Sequence, residues 1–186
     1  MKIAFRALIV AMLVGVITGA ASAQVRDPSQ QKLDYLWNGP RASSAYSAQA
    51  AGVRMTYARE CAQQLQTYST VAPREQVVQA VTKVESENIG QTLSAAKKNL
   101  ANVKKDAEKT SDAAVLAKIE SIQKHLDAAM ESHKTMDMAC CKASVEGEEV
   151  TKCCDDVMTE LDKALAEHAS LMRLLQSKAK PTPTQK

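Results

Sequence analysis

The sequence predicts an all-α fold, an antiparallel up-down-up-down four-helix bundle, and three observations predict it. Of 186 residues, 45% are hydrophobic but only 3% aromatic, with 6 Gly and 5 Pro. That composition excludes a collagen, a β-sandwich and a doubly wound sheet rich in Val, Ile and Gly. Apolar residues recur at spacings of three and four along almost the whole chain beyond Ser43, the period of a helix face. The breaks between these stripes, at Ala72-Pro73, Ser111-Asp112 and Ser144 to Glu148, are short, so successive helices turn back on one another. The charged fraction is ordinary and the apolar fraction too high for a disordered chain. A net charge of +3 without a basic cluster excludes a polybasic nucleic-acid binder.

Residues 1–23 read as a signal peptide. Lys2 and Arg6 precede the apolar run Ala7 to Ile17, and Ala21-Ser22-Ala23 is a small-x-small cleavage pattern. The run is shorter than the ~20 residues needed to span a bilayer, and no later segment replaces it. The expectation is export to a periplasm or outside the cell, with cysteines facing an oxidising environment. Residues 24–42 read as an extended leader broken at Asp27-Pro28 and Gly39-Pro40, with Leu33, Leu36 and Trp37 available to dock it.

Four helices follow, over about residues 43–70, 73–109, 112–143 and 148–178, before a basic tail of residues 180–186 expected to be disordered. The first carries the stripe Tyr46, Ala50, Val53, Tyr57, Cys61, Leu65 and Tyr68, expected at the core or its edge. The second opens at Pro73, a residue suited to a first helical turn. Its stripe is Val78, Thr82, Glu85, Ile89, Leu93, Ala96, Leu100, Val103 and Ala107. Ser111 or Asp112 caps the third, whose seam reads Val115, Ile119, Ile122, Leu126, Ala129, His133, Met136 and Cys140. The fourth repeats it with Val150, Cys154, Val157, Leu161, Ala164, His168, Leu171 and Leu175.

The chemistry gathers at one end. Cys140 and Cys141 precede Gly147 by the same distances at which Cys154 and Cys153 follow it. In a hairpin centred on that glycine, Cys140 faces Cys154 and Cys141 faces Cys153. One account is disulfide stapling, each bridge contributing ~3 kcal/mol for a loop of this size. Neighbouring residues on a helix point 100° apart, so Cys140–Cys154, on both seams, is favoured over Cys141–Cys153. The other account is a thiolate site for copper or zinc.

Cys61, Glu85, His133 and Met136 fall at one depth on inward seams. Thiol, carboxylate, imidazole and thioether together suit a soft ion, copper before zinc. The plainer account is a buried polar network in which Glu85 accepts from His133 or Tyr57. A minor alternative places haem between Met55 and His168, although covalent attachment through C-x-x-C-H is excluded. The general plan is similar to exported bundles that hold copper through inward cysteines. Those carry many cysteines at i, i+4 spacing, whereas this chain has five at one end, so the likeness assigns no residues.

Catalysis has no visible carrier. There is no nucleophile elbow, phosphate loop or H-E-x-x-H, and the Glu-x-x-His pairs of di-iron bundles are missing. The sequence therefore points to a non-enzymatic exported bundle that binds soft metal ions for buffering, storage or delivery. The alternative is a disulfide-stapled scaffold that binds a periplasmic protein partner.

Overall fold

The computed structural model describes residues 40–72 and 77–179. The signal segment, the leader up to residue 39, Pro73 and the tail lie outside the described residues. Four helices make up the described chain: α1 (Pro40–Val71), α2 (Gln79–Lys109), α3 (Ala113–Cys140) and α4 (Gly147–Ala179). Helix α1 thus begins at Pro40, inside the segment read as leader, and Pro suits a first helical position. Val77 and Val78 precede α2 and are not helical, so that helix starts six residues after the expected Pro73.

The helices form a four-membered ring in which α1 packs on α2 and α4, and α3 packs on the same two. Polar links show the alternating direction. Along α1, Arg59, Gln66 and Thr70 meet Asp162, Asp155 and Thr151, descending along α4. Along α3 and the turn after it, Lys118, His125 and Lys142 meet Glu167, Glu160 and Glu149. The expected all-α antiparallel bundle is the observed fold. Among the described residues no helix is long and apolar enough to cross a membrane.

The seams of α3 and α4 lie inward as expected. Val115, Ile119, Ile122, Leu126, Ala129, Met136 and Cys140 are buried against Val150, Cys154, Val157, Leu161, Ala164 and Leu171. On α2 the expected seam is buried from Thr82 to Ala107 save at one turn, where Ser86 is buried and Glu85 only half so, while Val78 at its start is exposed. The core face of α1 is a correction. Cys61 and Leu65 of the expected stripe are buried, but the rest of the core face is Ala48, Ala51, Met55, Ala58 and Ala62, whereas Tyr46, Val53 and Tyr57 are 75, 64 and 52% exposed. Four alanines let α1 approach its neighbours closely, an approach that tyrosine rings would block.

The α2–α3 turn closes by hydrogen bonds from Asp112 N–H to Ala107 O and from Ser111 N–H to Glu108 O, a Schellman pattern. Ser111 takes the left-handed position with φ 52°. Asp112 then caps α3, its carboxylate accepting from Val115 N–H at 3.2 Å. At that same end Asp106 accepts from Ser43, Ser44 and Lys109, which ties α1 to α2. Its carboxyl lies below the ordinary range, first because of the Ser44 hydroxyl and then Lys109.

Candidate metal centre

The opposite end of the bundle is lined with sulfur. Met136 and Cys140 in the last turns of α3 and Cys154 near the start of α4 are fully buried; Cys153 is 7% exposed. The Cys154 thiol donates to the Met136 thioether, with Sγ 3.6 Å from Sδ. Such a contact follows from the seams, since Met136 and Cys154 are inward positions on packed antiparallel helices. All five cysteines are free thiols, and Cys141 alone among them is exposed.

Burial governs these thiols. It pushes Cys140 up to about 12, against a hydrogen bond with Thr82 that acts the other way. Burial likewise takes Cys154 to about 12, with the neighbouring Cys140 adding to the shift. Cys153 is raised by burial and then by Glu149 and Asp156, with Lys152 and Lys142 opposing. Cys140 also feels Asp137, Cys141 and Cys153, so four thiols and several carboxylates share one neighbourhood. The α1 terminus closes it. A Cβ on Gly147 would stand 2.5 Å from Ser69 O, and the buried Ser69 hydroxyl has no hydrogen-bond partner.

The other expected cluster divides between seams. Cys61 and Glu85 are neighbours across α1 and α2. Burial raises the Cys61 thiol most, a bond with Tyr57 opposes, and Glu85 adds to the rise. His133 stands instead on the α2–α3 seam, its Nε2–H donating to Ser86 O at 2.8 Å. The ring packs so closely that a Cβ on Gly90 would lie 2.6 Å from its Cε1. Met136 turns toward Cys154. Among the described residues no three His, Cys, Asp or Glu side chains converge in an arrangement that would hold a metal ion.

His168 repeats the His133 arrangement on the α1–α4 seam. Its Nε2–H donates to Ala48 O at 2.7 Å, over Gly52. Met55 is buried three residues along α1, but the His168 nitrogen directed at α1 is already a donor. Sequence reasoning placed Thr82 inward but missed both histidine–glycine contacts and the buried Ser86 hydroxyl. The available signal was a glycine inside each helix, which marks a close approach. Comparison with protein-family profiles, curated proteins and solved structures finds no match for this chain.

Proposed function

We propose that this chain is a soft-metal-binding helical bundle that takes Cu(I) between Cys140, Cys154 and Met136, for buffering or delivery in an exported compartment. The observation that carries the reading is the buried contact of the Cys154 thiol with the Met136 thioether at 3.6 Å beside Cys140. Two thiolates and a thioether form a soft donor set of the kind that selects Cu(I). Zinc asks for four nitrogen or sulfur ligands in a tetrahedron, and those side chains do not converge here. Asp137 and Asp155, whose charge raises the thiols, favour a cation for the same reason.

The ion displaces two thiol protons, so affinity rises with pH. The test is anaerobic Cu(I) titration of the reduced protein against a competing chelator, with native mass spectrometry for stoichiometry. One bound ion is expected. Cys140→Ala or Cys154→Ala removes it, and Met136→Leu weakens binding about tenfold, roughly 1.4 kcal/mol. Lys97→Ala leaves it unchanged. Binding that survives loss of both thiols overturns the reading.

A second reading has one observation in its favour. Cys140 and Cys154 are fully buried neighbours on facing seams, the arrangement a stapling disulfide uses. Protein exported and purified without reductant would then be lighter by two hydrogens per bridge and would bind no ion.

A further inference from the structure

We propose that the outward face of α1 is a homodimer interface, where two copies pair their first helices antiparallel about a two-fold axis between Ala50 and Val53. The interface is independent of the copper site.

Helix α1 is the charge-poor helix of the bundle. Over 32 residues it holds four charged residues, Arg41, Arg54, Arg59 and Glu60, whereas α4 holds eleven in 33. Of these, Arg59 is engaged by Asp162 of α4. The side turned away from the bundle displays Tyr46, Val53 and Tyr57, each more than half exposed. Their spacings of seven and four residues set them on one stripe. Gln49, Thr56 and Gln64, exposed around them, are uncharged. Tyrosines and an aliphatic residue on a surface depleted of charge match the composition of an interface core.

A second copy fits this face because the charge of the bundle is divided along its length. The sulfur half, residues 56–71, 77–91 and 131–159, holds 10 Asp+Glu against 5 Lys+Arg. The opposite half, residues 40–55, 92–130 and 160–179, holds 12 Lys+Arg against 8 Asp+Glu. Parallel copies would set like ends side by side. Antiparallel copies set each acidic half beside a basic one, which favours association and fixes its direction. The tyrosines then give the register. With Tyr46 of one copy over Tyr57 of the other, Val53 meets Ala50, a small residue that lets the two helices approach. The two-fold axis repeats both pairs, so the contact is isologous and stops at two copies.

The test is sedimentation velocity of the full, reduced chain over a range of concentration and salt. A dimer is expected, and raising salt from about 0.05 to 0.5 M weakens it severalfold as the opposed charges are screened. Val53→Glu weakens it about a hundredfold, since two like charges then meet near the axis. Val84→Glu, also at an exposed valine but on α2, leaves the dimer unchanged. Melting curves taken where the parent is itself monomeric match the parent's for both variants, which separates lost association from lost folding. Photo-oxidative cross-linking joins Tyr46 to Tyr57 between copies, because within one chain the two stand about 16 Å apart along the helix. Products joining Tyr46 to Tyr46 or Tyr57 to Tyr57 overturn the antiparallel arrangement. A chain that stays monomeric at about 100 µM overturns the interface, whatever else then covers the face. A dimer indifferent to Val53→Glu overturns it as well.

Discussion

The two inward histidines act through their neighbours' smallness. His133 and His168 each lay an imidazole against a helical glycine and donate Nε2–H to the carbonyl four residues before it, Ser86 and Ala48. A Cβ on Gly52 would stand 2.3 Å from His168 Cε1, so Gly52→Ala displaces the ring and breaks its hydrogen bond. The lost bond costs about 0.5–1.5 kcal/mol, while alanine in a helix gains about 1 kcal/mol over glycine. The two nearly cancel, and the single variant alone decides little. With His168→Ala already present, Gly52→Ala should stabilise by about 1 kcal/mol. Urea denaturation of the four-member cycle measures this, and equal effects in both backgrounds would remove the contact from the account. Ser111 offers a simpler case. Its φ of 52° is costly for a residue with a Cβ, so Ser111→Gly should raise stability by a few tenths to about 1 kcal/mol.

For whole helices, spacing carried the reading where large aliphatic residues set it. Helices α3 and α4 keep a strict seam from Val115 to Cys140 and from Val150 to Leu171, and these residues are inward in the structure. Helix α1 defeated the same logic. Alanine carries no preference for core or surface, so apart from Cys61 and Leu65 the face that packs was silent in the sequence while Tyr46, Val53 and Tyr57 formed the conspicuous stripe. The cysteine end was legible because Cys140 and Cys154 lie equally far from Gly147. The division of Cys61 and Glu85 from His133 was not, since equal depth along a bundle does not tell which seam a side chain joins. Gly147 also sets how closely α4 approaches α1. The obstacle to a Cβ there is Ser69 O at 2.5 Å, main chain that cannot swing aside as an imidazole can. Gly147→Ala should therefore destabilise by about 1–3 kcal/mol through overpacking. A melting temperature at or above the parent's would show that the two helix ends separate freely.

At the scale of the molecule, the bundle has matched halves. Along α1 and α2 the inward positions correspond as Ala51 with Ile89, Gly52 with Gly90, Met55 with Leu93 and Ala58 with Ala96. Along α3 and α4, Leu126 pairs with Leu161, Ala129 with Ala164, His133 with His168 and Met136 with Leu171. The correspondence fails at the sulfur end, where Cys140 answers to Leu175 and Cys154 to Ile119. One end of a repetitive core has exchanged aliphatic carbon for thiol, and this should be visible in stability against pH. Cys140 and Cys154 lie at about 12 in the fold, against an ordinary 9.0. A raised thiol value means that the fold keeps the proton longer than the unfolded chain does. The contribution is whole below pH 9 and disappears as pH rises from there toward 12. Each thiol then removes about 1.4 kcal/mol per pH unit across that window, or roughly 3 kcal/mol for the pair by pH 10. Lysines and tyrosines titrate in the same range, so the informative quantity is a difference between variants. Under reductant, Cys140→Ala with Cys154→Ala should start less stable at pH 8, having lost buried volume. It should then lose about 3 kcal/mol less than the parent between pH 8 and pH 10. Urea denaturation at the two pH values measures both, and parallel losses would mean that water reaches these thiols despite their burial.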